Sequence, residues 1–269
     1  MSHFAFATWN VNNRRFRESH LVLLRQLRPD VLVLQEVSEH FFHGLRAAAL
    51  FDGGYYSMDY LPGKSELPRS RRLGCAIFAS ERIEIANPSL VPGLPLPERS
   101  LVVEAKIDLF EMRVCSLHTP PGVSWGELKP RSHLVLANWL KRRSTSVILG
   151  IDANAPKVDH PEYGRNEWWW PDEAKLLGEE RIHDLRDAFR EYIGGHADLL
   201  GSIRAQRPCG PLAVSYIRGN RRKRTESRYD FIFVSPEFKV SRVEYLYHEA
   251  VEAGSDHALV FAELETSEE

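Results

Sequence analysis

The run Ser146-Val147-Ile148-Leu149-Gly150-Ile151-Asp152-Ala153-Asn154 is apolar until Gly150 and then delivers Asp152 and Asn154 two residues apart. A short aliphatic run that turns polar at its end reads as a buried strand terminating in a cleft. A carboxylate in that position can take a proton from water. The carboxamide two residues on shares its face and can donate and accept without adding charge. Taken alone, the segment is better read as an Asp/Asn turn closing a strand. Its company in the chain reverses that reading.

Working outward, residues 3–11 read as a strand rich in Phe, Ala and Trp that ends in Asn10-Val11-Asn12-Asn13. Leu21, Leu24 and Leu27 follow at helical spacing until Pro29 stops them. Residues 30–36 form an aliphatic strand whose last residues, Gln35 and Glu36, turn polar. Strand, helix and strand over this span make a parallel crossover unit. Ser38 is placed to cap a second helix carrying Phe41, Phe42, Leu45 and Ala48. Further strands are expected at 73–78, 101–107 and 112–118, the last ending in His118. A helix over 127–143 leads into the opening strand, and two short helices follow at 172–177 and 184–192. A loop rich in Gly, Pro and Arg then precedes two last strands, at 229–234 and 257–264. With no repeat and no low-complexity linker, one domain spanning residues 1–269 is expected.

Hydrophobic content of 43% with 27% charged residues is ordinary for a soluble globular chain. The formal charge of -2 gives no global push toward nucleic acid or anionic membrane. A polyanionic substrate must therefore be met by local positive patches or by a bound cation. Cys75, Cys115 and Cys209 show neither a disulfide framework nor zinc spacing, which suits a reducing compartment. No basic leader precedes Phe4-Ala5-Phe6, and no apolar run approaches the ~18 residues that span a bilayer. A cytoplasmic location without membrane insertion is the expectation, and the oligomeric state is left open.

Asn10, Glu36, His118, Asp152 and Asn154 lie at the carboxyl ends of apolar runs, whereas Asp230 and Ser255-Asp256-His257 lie at the amino ends of theirs. If the last strands run antiparallel to the others, all these groups reach one edge of the sheets. Glu36, Asp152, Asp230 and Asp256 then place four carboxylates in one cleft, where repulsion raises their pKa values unless a cation intervenes. An oxygen and carboxamide set without cysteine favours magnesium, with manganese as a possible substitute, over zinc. The two histidines suit a developing phosphoryl charge or a leaving oxygen.

Thr8-Trp9-Asn10-Val11-Asn12, Leu34-Gln35-Glu36-Val37, Leu117-His118-Thr119, Gly150-Ile151-Asp152-Ala153-Asn154, Arg228-Tyr229-Asp230-Phe231-Ile232 and Ser255-Asp256-His257 occur in this order. Together they resemble the endonuclease/exonuclease/phosphatase superfamily, which includes pancreatic-type deoxyribonucleases and abasic-site endonucleases. Each motif alone is weak; six in the right order, over nearly the whole chain, are strong. The resemblance implies an α/β fold, a four-layer α/β sandwich in which two mixed β-sheets pack face to face with helices on both outer sides. It implies that Glu36 holds the metal with help from Asn10, that Asp256 is a further metal or water-network carboxylate, and that Asn12 is a weaker candidate. Asp152 would orient or deprotonate the attacking water, and Asn154 would hold the phosphate or that water. Asp230 would fix the tautomer of His257, whose imidazolium would stabilise the pentacoordinate charge. His118 would contact the phosphate or assist the leaving oxygen. An acidic partner for His118 is expected, and Glu98 is the nearest candidate. The chain departs from the family's usual Gly-Asp-Phe-Asn by one residue inserted before Asp152.

Trp168-Trp169-Trp170 offers stacking faces, Trp169 among them; the plainer reading is a loop pinned by buried aromatics. Arg218, Arg221, Arg222, Lys223, Arg224 and Arg228 form either a phosphate contact beside the site or a solvated basic loop. Arg69, Arg71 and Arg72 are a lesser second contact. The expected function is magnesium-dependent hydrolysis of phosphodiester bonds in DNA or RNA. The alternative keeps the chemistry and changes the substrate to an inositol phosphate, a phospholipid head group or a nucleotide derivative. A binding module without turnover is a third reading, and the intact set of site residues argues against it.

Overall fold

The computed structural model describes residues 1–68, 71–220 and 223–266. Strand β1 (His3–Asn10) passes through α1 (Glu18–Leu27) into β2 (Val31–Val37), which pairs parallel with β1 from Phe6↔Val31 to Asn10↔Gln35. Helix α1 stops where Arg28 turns left-handed ahead of Pro29. Ser38 caps α2 (Glu39–Ala47) by accepting from the Phe41 amide at 3.2 Å, and Phe41, Phe42 and Leu45 form its buried face. Strands β3 (Gly53–Tyr56) and β4 (Gly74–Ala79) follow. Next come β5 (Glu84–Ser89), β6 (Ser100–Ile107) and β7 (Phe110–His118), paired antiparallel in succession. Helices α3 (Gly122–Trp125) and α4 (Leu128–Lys141) then carry the chain across to β8 (Ser146–Asp152), which lies parallel to β7 with His118 opposite Asp152. The remainder runs α5 (Pro171–Leu177), β9 (Arg186–Asp187), α6 (Ala188–Gly194), α7 (Ala197–Gln206), β10 (Tyr216–Asn220), β11 (Lys223–Ser227), β12 (Asp230–Val234), β13 (Phe238–Leu246), α8 (Tyr247–Ala253) and β14 (Leu259–Thr266).

Two mixed six-stranded sheets result, ordered β13-β14-β1-β2-β4-β3 and β5-β6-β7-β8-β12-β9. Alternation along the strands decides what each face meets. In β1 and β2, Phe4, Phe6, Val31 and Val33 point into the cluster shared with Val103, Val114 and Ile148 of the other sheet. Ala7, Trp9, Leu32 and Leu34 point the opposite way, against Leu24, Phe41, Phe42 and Ala250 of the helices. On the far side, Leu149, Ile151 and Leu117 pack against Leu136, Leu140 and Leu176. Three apolar layers between four structural ones are the four-layer sandwich expected from the sequence.

At Gly150 the facing sheet leaves no room for a side chain: a Cβ there would sit 2.3 Å from Val33 Cγ2 and 2.6 Å from Thr8 Oγ1. The last strands run antiparallel, with Asp230 opposite Asp152 and Trp9 opposite Leu259. Cys75, Cys115 and Cys209 are free thiols. Among the described residues, no helix is long and apolar enough to cross a membrane.

Several elements were not legible. The basic stretch read as loop is the hairpin β10–β11, and β13, absent from the reading, is a nine-residue edge strand. Both carry polar residues on exposed faces, and a register shift between Val240 and Arg242 breaks the period-two pattern of β13. The helix expected at 184–192 starts later, at Ala188, because Asp187 caps it through the Phe189 and Arg190 amides.

Candidate active site

Strand ends from both sheets converge on a cleft of about 600 Å³. Glu36, Asp152, Asn154, Asp256, His257 and Asn12 line it. Asp152 is buried at the end of β8, where its Oδ2 accepts from Asn10 Nδ2 at 2.7 Å and its Oδ1 from the Asn154 amide at 3.0 Å. Burial raises its pKa, the nearby His257 opposes that rise and Asp230 adds to it, leaving the carboxyl at about 7. Asp230, opposite on β12, accepts from His257 Nδ1 at 2.9 Å. Burial alone lowers the imidazole, but the Asp230 and Asp152 carboxylates outweigh it and push the pKa to about 10. His257 is therefore an imidazolium at neutral pH. The Ser255 hydroxyl, itself donating to the Asn10 carbonyl at 2.6 Å, accepts from the His257 amide at 3.1 Å and so fixes the turn that presents the ring.

Asn10 spends its Nδ2 on Asp152, while its Oδ1 accepts from the Asn12 amide at 2.8 Å, leaving that oxygen one lone pair. Glu36, Asn12 and Asn154 all sit at positive φ, 53°, 48° and 48°, a conformation that costs non-glycine residues free energy and that clusters at functional sites. Burial raises the Glu36 carboxyl, against the opposing charges of His257 and Arg99. Asp256 Oδ1 is buried without any hydrogen-bond partner. A raised carboxyl and an orphaned carboxylate oxygen beside a carboxamide oxygen are what a hard divalent cation satisfies, so these residues fit the ion expected from the sequence. Asp152, Asp230 and His257 also bring ligand atoms within 4.8 Å of one another. There, however, the 2.9 Å contact occupies Nδ1 with a proton, which leaves Glu36 and Asp256 as the better holders.

His118 is fully buried, with Nε2 at 3.5 Å from both Glu36 Oε1 and Asp152 Oδ2 and 3.3 Å from Asn154 Nδ2. Burial, then Arg99 and His257, hold its pKa well below the usual value. The expected acidic partner is corrected: Glu98 is bound bidentate by Arg71 at 2.7 Å and 2.7 Å. The neighbouring Arg99 faces His118 instead, with Nη1 at 3.0 Å from Nδ1 and its guanidinium 5.3 Å from the Trp125 ring. A buried cation beside a histidine left no periodic signal in the sequence.

Trp169 lines the cleft at 54% exposure, with Lys157 Nζ 5.7 Å from its ring. Trp168 packs on the outer apolar layer, so the tryptophan run both pins the loop and offers a free face. Lys129, Trp170, Tyr216, Arg218 and Tyr229 also line the cleft; Arg218 and Trp170 were singled out from the sequence as substrate contacts, and Lys129, Tyr216 and Tyr229 were not. Tyr216 covers the His257 ring at 4.8 Å and Tyr229 lies 5.8 Å beyond. Arg221 and Arg222 lie outside the described residues, as does Arg69. Arg224 is exposed and lines a separate hollow with Lys157 and Cys209. Arg228 is no phosphate contact: it is buried and held by Asp187 at 2.6 Å and Asp159 at 3.3 Å.

The sequence model of a family described as the endonuclease/exonuclease/phosphatase family matches residues 7–257. A search of curated protein sequences finds no match. Among solved structures, D. rerio TDP2 complexed with single-strand DNA product superposes with a TM-score of 0.70 at 15% identity, over 99% of this chain and 100% of that one. An endonuclease/exonuclease/phosphatase from Bacteroides vulgatus gives 0.68 at 16% identity, over 99% and 100%. A mannosyl-6-phosphatase from Bacteroides thetaiotaomicron gives 0.63 at 17% identity, over 97% and 99%. At such identities the likeness is one of fold.

Proposed function

The chain belongs to the endonuclease/exonuclease/phosphatase family and is thus a metal-dependent hydrolase of phosphoester bonds, and from this premise we propose that it cleaves phosphodiester bonds of DNA or RNA with magnesium. The observation that carries the choice of substrate is the aromatic rim. Trp169, Trp170, Tyr216 and Tyr229 surround the acid and imidazole groups, and Arg218 stands with them. Such rings stack any base, each base adding about 1–3 kcal/mol, while cations meet the backbone.

Glu36 and Asp256 would hold the ion, with the remaining lone pair of Asn10 Oδ1. When bound, the ion supplies charge neutralisation at the phosphoryl group. Asp152, oriented by Asn10 and Asn154, takes the proton of the attacking water. The His257 imidazolium, held by Asp230, stabilises the charge that develops on the phosphoryl oxygens. Asn154 Nδ2, fixed on the Thr119 carbonyl at 2.9 Å, borders the same space and holds the phosphate or the water. His118, kept neutral, assists at the leaving oxygen.

A second reading has one observation in its favour: a bounded cleft of about 600 Å³ is the size of a small-molecule pocket. Incubation with plasmid, single-stranded DNA and RNA, in magnesium and then in EDTA, separates the two. Magnesium-dependent cleavage that EDTA stops is the expected result. Nucleic acid left intact while a sugar or inositol phosphate is turned over would overturn the nuclease reading.

A further inference from the structure

We propose that Lys129 and Glu173 are positioning residues, a buried bridge between the tryptophan wall of the cleft and the Asp152-Ala153-Asn154 turn that makes the two move as one. The proposal rests on the reading of the cleft as the phosphoesterase site. Glu173 on α5 is fully buried, and each of its oxygens has a different task. Its Oε2 accepts from the Trp169 amide at 2.9 Å, and its Oε1 pairs with Lys129 Nζ at 2.8 Å. Lys129, on α4 and 1% exposed, donates from the same Nζ to the Asn154 carbonyl at 2.7 Å and lies 5.2 Å from the Trp170 ring. Trp170 in turn rests on α3, where a Cβ at Gly122 would meet its ring at 2.6 Å.

Adhesion does not require this pair. Leu136, Ala137 and Leu140 of α4 already share an apolar layer with Leu176 and Leu177 of α5. A buried ion pair is commonly no more stabilising than apolar side chains of the same volume, so its use here is geometric. The path from Trp169 to Asn154 runs through one carboxylate and one ammonium: a hydrogen bond at each end and, between them, an ion pair of 2.8 Å. Asn154 is the carboxamide at positive φ whose amide holds Asp152 and whose side chain reaches His118. A base stacked on Trp169 therefore bears on the residue that orients the attacking water.

The test uses Glu173→Gln, Lys129→Met and the apolar pair Lys129→Met/Glu173→Leu, the last keeping the site packed without a stranded charge. Folding is checked by circular dichroism. Turnover of bis(p-nitrophenyl) phosphate and of p-nitrophenyl phosphate in magnesium is measured, together with the 19F resonance of Trp169 in 5-fluorotryptophan-labelled protein. In the folded apolar pair, kcat should fall about 10- to 100-fold with little change in KM, as for supporting residues elsewhere. Adding Asn154→Ala should then cost little more, whereas it is costly in the parent. Asn154→Ala should also shift the Trp169 resonance in the parent and leave it unmoved in the apolar pair. Parent-like kcat in the folded pair, or a Trp169 resonance still answering to Asn154→Ala, would overturn the bridge. Esters hydrolysed beside intact nucleic acid would sink the nuclease reading alone, and with neither ester turned over the 19F result decides.

Discussion

Asp152 and His257 divide the proton work because burial and charge move them in useful directions. The carboxyl at about 7 is largely a base at mildly alkaline pH, and the imidazole at about 10 is still charged there. Activity should therefore rise as pH climbs through about 7, where Asp152 loses its proton, and fall through about 10, where His257 loses its own. A bound cation favours the Asp152 carboxylate and moves the acid limb lower. Asp230→Asn removes the largest charge that raises His257, so the alkaline limb should shift to lower pH in a kcat profile. Asp152→Asn should lower kcat by a factor on the order of 10² or more while the melting temperature holds. An unmoved alkaline limb in Asp230→Asn would remove the role given to that pair. His118, Asp152 and Asp230 were legible because each sits at a strand end. Arg99, Lys129 and Glu173 were not, because side-chain burial of a charge is decided by what packs over it.

At the level of elements, two junctions carry the site. Strand β8 meets β1 and β2 across Gly150, and the space for a methyl is absent. Gly150→Ala should cost about 1–3 kcal/mol in urea unfolding and lower activity together with stability, since the sheets must part where their ends form the cleft. The second junction is Arg228, which binds Asp187 and Asp159 while its guanidinium lies 4.4 Å from the Phe231 ring. Asp187 also caps α6, so one residue joins β11–β12, β9 and the helix. Arg228→Met leaves the buried Asp187 and Asp159 with only Arg190 as a cation partner and should destabilise by up to about 3–5 kcal/mol. Burial pushes the Asp187 carboxyl up, but Arg228 prevails and holds it below its usual value. That contribution is present above the unfolded pKa and is lost as pH falls through the folded one, so the variant's deficit should narrow in acid. A deficit unchanged between neutral and acidic pH would contradict this account of the pair.

For the whole molecule, the cleft is a place where folding alone leaves carboxylates crowded, and ligation relieves them. A divalent ion that binds only the folded chain, at 100 times its dissociation constant, adds about 2.7 kcal/mol, or roughly 5 to 10 °C in melting temperature. Magnesium should produce that rise in a thermal melt, and Glu36→Gln/Asp256→Asn should abolish it. A wild-type melt indifferent to magnesium, manganese and EDTA would remove the ion from these residues. By itself the sequence determined the first crossover unit, the strand ends that carry Asn10, Glu36, His118 and Asp152, and the order of six motifs, because hydrophobic periodicity and chain connectivity are local properties. Only the tertiary structure decided that β12 and β14 return antiparallel to bring Asp230, Asp256 and His257 to the same edge. It alone decided that Arg99 rather than Glu98 meets His118, and that Lys129 and Glu173 join the tryptophan wall to Asn154. Those are contacts between residues distant along the chain, and they arise from how two twisted sheets and their outer helices pack.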